Sequence, residues 1–376
     1  MRLDTLAVAA LGEAPWGRTR VRASQQPPAA ARLAIVGAGI TGLSAALFAA
    51  RAGVEVVVVD SVIGGGATSR SGGIVLGETL VGPAPEFDGC EASLHDWIRT
   101  EHADCDLQWT GCLELTRSEG GGAQPIGWYD GAELRAADTV PGGLLHPIKL
   151  LDALVDSSLR AGVQIAEGYR VAAIDRARDG TLLLGERLRL AAEQVIFATD
   201  AVSWPASGDP WPNRTITVAL QTEAAALGAP QPFYTRELPL LWGRPMTDGS
   251  LLFGRELIDW PADASPDRLR ALVAAAADRL VRRVRGLTAA LAEVRIRRVW
   301  AGPTARTDTG VPCLVPDPAS HAVIWAGGYG GHGLAQAFRL GQAAAAWVVQ
   351  GDGPIRMHEA TRAARISDRL GSGRPA

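Results

Sequence analysis

Leu33-Ala-Ile-Val-Gly-Ala-Gly-Ile-Thr-Gly-Leu-Ser-Ala-Ala-Leu47, followed by Val54-Glu-Val-Val-Val-Val-Asp60, decides the fold of this chain. A short apolar strand runs into Gly37-x-Gly39-x-x-Gly42, a small-residue helix follows, and a second apolar strand ends on an acid. Together these predict a βαβ unit over residues 32–60 that carries the dinucleotide fingerprint in its full context. Gly37 allows the tight turn, Gly39 lets the backbone approach a pyrophosphate, and Gly42 lets helix and sheet pack closely. The helix N-terminus presents amide hydrogens and a positive dipole end to phosphate. Asp60, about 20 residues past the glycines, stands where an acid accepts hydrogen bonds from a ribose. Glycines kept for packing alone would explain less, because all five elements occur in order.

The remaining composition narrows the class. A length of 376 residues suggests two domains. A hydrophobic share of 47% with 20% charged residues fits an ordinary globular protein, and a net charge of −3 gives no reason to expect a nucleic-acid partner. Lys149 is the only lysine, so Schiff-base chemistry would have to run through it. Cys90, Cys105, Cys112 and Cys313 form no CxxC pair, which points to free thiols and a cytoplasmic location. The segment Met1–Leu11 has a faint signal-peptide look, but Asp4 interrupts its basic region, so export is not expected. No apolar run reaches membrane-spanning length, and the scattered histidines show no metal-ligand spacing.

Along the chain, residues 1–31 read as a polar lead-in, and the glycine-dense stretch Gly64–Gly73 as a loop or as backbone pressed against something flat. Helices are expected at Ala92–Glu101, at Pro147–Ala161 with Gly162 as its stop, and from Ser265-Pro266 to Gly286. Strands are expected at Leu113–Thr116, Val163–Ile165, Val171–Ile174, Thr181–Leu184, Val195–Thr199 and Val294–Trp300. Residues 204–214 read as a Trp/Pro loop, 215–260 as antiparallel strands, and 371–376 as a frayed end. A second strand–glycine–helix element, Val323–Ala326 then Gly327–Gly333 then a helix to about residue 350, should neighbour the first in one sheet.

At this level of detail the chain resembles the FAD-dependent D-amino-acid oxidase superfamily, most closely its glycine oxidase, sarcosine oxidase and gamma-glutamylputrescine oxidase branch. The resemblance rests on Gly37–Ala46, Gly66-Ala-Thr-Ser-Arg-Ser-Gly-Gly73, His146-Pro-Ile-Lys-Leu150, Val195–Thr199, Asp248-Gly-Ser-Leu-Leu-Phe-Gly254, Trp300-Ala-Gly302 with Thr307 to Pro312, and Gly328-Tyr-Gly-Gly-His-Gly-Leu334, all in the family's order. It implies an α/β fold: a Rossmann-like FAD-binding domain (1–85, 146–214 and 305–376) with an inserted, mainly antiparallel β substrate-binding domain (86–145 and 215–304). It also implies FAD held by Gly37, Gly39, Ile40, Thr41, Gly42, Asp60 and Ser61. Ala67, Thr68, Ser69, Arg70, Ser71, Gly72 and Gly73 would lie along the pyrophosphate and isoalloxazine. Val171, Ala198 and Thr199 would line the nucleotide crevice, and Gly328, Gly330, Gly331, His332, Gly333 and Leu334 would meet the reactive ring. Gly302 and Pro303 stand where sarcosine oxidases carry the cysteine that attaches flavin, so the FAD is expected to be non-covalent. Thr304 stands where glycine oxidase has a substrate-binding arginine, with Arg306 two residues on. Asp200-Ala201 also departs from the family pattern.

The implied reaction takes hydride from a carbon beside nitrogen in a small amine or amino acid, with O2 as acceptor and H2O2 as product. A dehydrogenase serving a quinone or partner subunit, and a flavin-binding subunit without turnover, are the alternatives. His332, Arg255, Arg306, Trp300, Trp242 and Thr304 are the candidate catalytic or substrate residues. The weighing differs among them: for Arg255 and Arg306 a surface role is equally plausible, for Trp300 core packing and pocket wall are compatible, and Arg70 reads as structural.

Overall fold

The computed structural model describes residues 11–20, 24–80, 82–116, 125–129, 133–177, 180–202, 213–226, 231–235, 240–260 and 265–350. The expectations for 1–10, 204–212 and 371–376 lie outside them. In chain order the strands are β1 (Ala30–Val36), β2 (Val56–Asp60), β3 (Ile74–Leu76), β4 (Cys112–Thr116), β5 (Pro125–Tyr129), β6 (Glu133–Val140), β7 (Gly142–Leu144), β8 (Gln164–Glu167) and β9 (Ala173–Ala177). They continue with β10 (Gly180–Leu184), β11 (Arg189–Phe197), β12 (Asn213–Thr222), β13 (Phe233–Thr235), β14 (Trp242–Pro245), β15 (Leu251–Asp259), β16 (Ile296–Arg306), β17 (Cys313–Asp317) and β18 (Ser320–Gly327). The helices are α1 (Ile40–Arg51), α2 (Cys90–Thr100), α3 (Pro147–Arg160), α4 (Pro266–Arg285) and α5 (Gly333–Gln350).

One sheet has the order β17-β18-β11-β1-β2-β8, with the β9–β10 hairpin paired to the first half of β11. The pairs β1·β2, β1·β11, β2·β8 and β11·β18 are parallel. Because parallel strands are covered on both faces, β1 buries both sets of its side chains. Leu33 and Ile35 join Leu43, Leu47, Leu154 and Phe338 under the helices. Ala34 and Val36 join Val57, Leu190, Phe197 and Trp325 on the other face. The two strand–glycine–helix elements share this sheet, but β11 lies between β1 and β18, so their strands are not adjacent. Their helices do meet. A Cβ on Gly341 would sit 1.9 Å from the Ser44 hydroxyl, so α1 and α5 pack at a distance only small residues permit.

The second sheet has the order β16-β12-β15-β14-β13-β4-β6-β5 and is antiparallel apart from the β13·β4 pair. Helix α4 covers it. The Ser265 hydroxyl accepts from the Arg268 N–H at 3.2 Å, Pro266 opens the first turn, and Leu269, Val273, Ala276, Leu280 and Val284 are buried. Strand bounds differ from expectation at several ends, β8 for example running Gln164–Glu167 and β18 starting at Ser320. Strand β9 begins at Ala173, leaving Val171 outside it, and β11 begins at Arg189 because its first half pairs with the hairpin. Strand β16 runs on to Arg306, because β12 accompanies it to Asn213.

A candidate cofactor and substrate cavity

The glycine loop is built as tightly as its spacing demands. Gly37 has φ +108°, and a Cβ there would meet the Ala198 carbonyl at 2.6 Å. A Cβ on Gly42 would lie 1.9 Å from the Gly37 carbonyl oxygen. Gly39 differs: the nearest atom to its added Cβ is the Thr68 hydroxyl at 3.5 Å, and the residue opens into a cavity. Asp60, at the end of β2, accepts from the Ala38 N–H at 2.6 Å through Oδ2 and from the Val62 N–H at 3.2 Å through Oδ1. It pins the loop while opening to the same cavity. Burial pushes its carboxyl upward, and the Ala38 and Val62 amides oppose that shift.

Residues 67–73 form a second wall, and the carbonyls of residues 70–73 are held by distant side chains. The Trp300 indole donates to Arg70 O at 2.9 Å and the Trp16 indole to Ser71 O at 2.8 Å. Arg244 Nη1 donates to Gly72 O at 3.2 Å, Gly73 O at 3.0 Å and Leu145 O at 3.0 Å. Arg70 in turn donates to the Gly12 and Ala301 carbonyls at 2.7 and 2.8 Å. Burial lowers both guanidinium pKa values, that of Arg244 to about 10. Neither Gly72 nor Gly73 could bear a side chain, since a Cβ would strike the Trp242 ring at 2.6 Å or Arg244 Nη1 at 2.5 Å.

The third wall is the loop between β18 and α5, and Asp200 locks it. Asp200 Oδ1 accepts from the Gly328 N–H at 3.0 Å, and Oδ2 accepts from the Ala305 N–H at 3.1 Å. The acid whose presence the sequence left unexplained thus joins three segments of the site. It adopts φ +44°, a region open to aspartate. Burial raises its pKa to about 6, with the amide bonds pulling the other way. The Gly330 N–H donates to Ala305 O at 2.8 Å, and the Thr41 and Tyr329 hydroxyls hydrogen-bond across to α1.

These walls enclose a cavity of about 1870 Å³. Every position expected to hold the cofactor lines it except Gly42, which packs beneath the loop, and Gly328. His332, Trp242 and Thr304 line it as well. Trp300 does not: it is 1% exposed and packs behind residues 67–73, donating to Arg70 O. Arg306 turns away from the lining and faces Asp259, Nη2 to Oδ1 at 3.6 Å. Arg255 belongs to β15 by its backbone, and its side chain lies outside the described set. Lys149 pairs with Asp106 at 2.6 Å on the exterior, and Cys313 is not among the lining residues, whereas Gly302 and Pro303 are.

Several lining residues carried no signal in the sequence. Tyr234 on β13 sits between two carboxylates, its hydroxyl 2.9 Å from Glu78 Oε2 and 3.1 Å from Glu114 Oε1. Burial and both carboxylates push its phenol well above the usual range, so it stays neutral. Arg214 also lines the cavity, on β12 opposite Ala305 and hence near the Gly330 loop. Glu78, Glu114, Tyr234 and Arg214 come from four separate stretches: the β4·β13 pairing sets Glu114 beside Tyr234, and Glu78 reaches them from the loop after β3. Trp16 was legible in principle, because a large aromatic in a polar lead-in is a burial cue.

The walls suit a flavin dinucleotide: a glycine cradle at the end of β1, an acid at the end of β2, and a long crevice reaching the second sheet. Among the described residues no cluster of His, Cys, Asp or Glu could hold a metal, and no helix is long and apolar enough to cross a membrane.

Comparison with known proteins agrees. A family model described as FAD dependent oxidoreductase (DAO) matches residues 32–347. No curated protein sequence matches the chain. Among solved structures, glycine oxidase from Geobacillus kaustophilus superposes with a TM-score of 0.68 at 17% identity, covering 86% of this chain and 95% of its own. L-proline dehydrogenase from P. horikoshii gives 0.71 at 18%, covering 88% and 96%. Iminodiacetate oxidase from Chelativorans sp. BNC1 gives 0.67 at 18%, covering 87% and 98%. At these identities the likeness is one of fold.

Proposed function

The chain belongs to the DAO family of FAD-dependent oxidoreductases, and from that premise we propose that it oxidises a small amine or amino acid at its CH–NH group to an imine, with O2 as acceptor and H2O2 as product. One observation carries the reading. The glycine loop of the first sheet and residues of the second sheet, Thr217, Trp242 and Tyr234 among them, line a single continuous cavity.

FAD, when bound, supplies the hydride acceptor. Ile40 and Thr41 at the start of α1 would meet its phosphates with backbone amides, and Asp60 keeps lone pairs for a ribose. Trp242 and Thr304 wall the cavity and limit water around the reacting carbon. Glu78 and Glu114 attract a cationic amine and accept the proton it sheds, because only the neutral amine can push electrons into the forming C=N bond. Arg214 offers a planar fork for a substrate carboxylate, a role for which Thr304 has no cation. His332 lines the cavity at the Gly330 loop and adds a polar contact there.

The test is anaerobic titration of the yellow protein with amines and amino acids, then admission of air. Bleaching followed by fast recovery and peroxide release supports the proposal. Recovery by a quinone and not by air would make the protein a dehydrogenase. Absence of bleaching by any such compound would overturn the assignment.

A further inference from the structure

Residues 11–20 lie before the part of the chain that the family model matches, yet they form a wall of the cavity through Gly12, Ala14, Gly17 and Thr19. At one end Leu11 O accepts from the Ala301 N–H at 2.6 Å, and Gly12 O accepts from Arg70. A Cβ on Gly12, at φ +74°, would meet the Val299 carbonyl oxygen at 2.5 Å, so the segment lies directly on β16. In the middle Trp16 is 5% exposed and donates to Ser71 O. Its ring meets His146 edge-on at 5.1 Å and carries the Arg244 guanidinium 5.3 Å from its centroid. At the far end the Thr19 hydroxyl donates to Ile63 O, the Arg20 N–H to Asp152 Oδ1 at 3.0 Å, and Arg20 Nη2 to Asp156 Oδ2 at 2.6 Å. The segment therefore crosses from the second sheet to α3 beside residues 63–71.

We propose that residues 11–20 are a cofactor-retaining strap, which clasps FAD against the glycine loops and must lift for the cofactor to leave. The proposal rests on FAD occupying this cavity. The physical argument is one of linkage. The strap has no helix or strand of its own and is held by a few side-chain and backbone bonds, so it opens locally at less cost than the sheets. A ligand it touches only when closed lowers the open population by the factor by which closure tightens binding. Anchoring one end on β16 and the other on α3 also supplies non-covalent retention in a chain whose Gly302 and Pro303 leave no attachment thiol at that point.

Amide hydrogen exchange of the holoprotein and of the FAD-stripped protein tests this, with FAD release from Trp16→Ala followed by the fluorescence of free FAD. The expected results are slower exchange over residues 11–20 when FAD is bound, and release from Trp16→Ala at least about tenfold faster, the scale of a lost hydrogen bond with its ring packing. Arg20→Ala, which removes the guanidinium contacts with Asp152 and Asp156 at the exposed end, should speed release by a smaller factor, and it serves if Trp16→Ala does not fold. Equal exchange with and without FAD, or wild-type release from a folded variant, overturns the strap. Wild-type protein that binds no FAD would instead sink the cofactor reading on which it rests, and the strap with it.

Discussion

Asp200 holds Gly328 through a 3.0 Å hydrogen bond from the glycine N–H to Oδ1, and so fixes the start of the loop that lines the cavity from the C-terminal half of the chain. The same carboxylate holds Ala305, which accepts from Gly330. Loop position is thus coupled to the protonation of one acid.

The coupling has a sign. Burial lifts Asp200 from 3.8 to about 6 in the folded protein. Its contribution to stability is complete below the unfolded value and falls as pH rises through about 6, where a partly desolvated charge must form. Thermal melts of apoprotein from pH 4 to 8 should therefore show Asp200→Asn losing less stability than wild type across that window. Parallel pH profiles would refute the assignment.

Gly39 and Gly42 should separate cofactor binding from folding. Gly39 has room for a side chain except where the cofactor would lie, so Gly39→Val should fold with near-native circular dichroism and purify colourless. Gly42→Ala drives a Cβ into the Gly37 carbonyl oxygen, and destabilisation of about 3 kcal/mol or more is expected in denaturant melts. A yellow Gly39→Val protein would remove the pyrophosphate from this loop.

Arg244 is a buried cation that serves backbone carbonyls. Arg244→Met removes the donor to Gly72 O and Leu145 O and one of two donors to Gly73 O, and should cost about 3–5 kcal/mol, measured by urea unfolding. Arg244→Lys keeps the charge but lacks the planar fork, and should recover only part of the loss. A Met variant as stable as wild type would show that the Gly72–Gly73 carbonyls find other partners.

Arg214 and the Glu78–Tyr234–Glu114 group should divide substrate recognition between them. Arg214→Ala is expected to raise KM for carboxylate-bearing substrates roughly 10- to 100-fold, the worth of a charged hydrogen-bond pair, while sparing simple amines. Glu114→Gln should raise KM for both, since both present the amine. Equal effects of Arg214→Ala on the two substrate classes would place the substrate carboxylate elsewhere.

Local chemistry carried far in this chain. Apolar runs, glycine spacing and the Asp60 position specified the βαβ unit, the small-residue helices and the family, because each depends on neighbours close along the backbone. The Ser265 cap and the α4 stripe were legible for the same reason. What the residues at 67–73 rest on was not legible, since their four carbonyl partners come from Trp16, Arg244, Trp300 and the backbone at Leu145. Nor was the fate of Arg306: two residues beyond Thr304 on β16, it faces Asp259 across the sheet.

By itself, then, the sequence determined which loops can approach a dinucleotide, because a backbone that must come close can carry only glycine. Tertiary structure alone decided which charges share the cavity with those loops and which segment lies beside them. Those contacts join residues distant along the chain, from Thr19 with Ile63 to Tyr234 with Glu78, and their distance is set by how the sheets and loops assemble, a property of the assembled molecule.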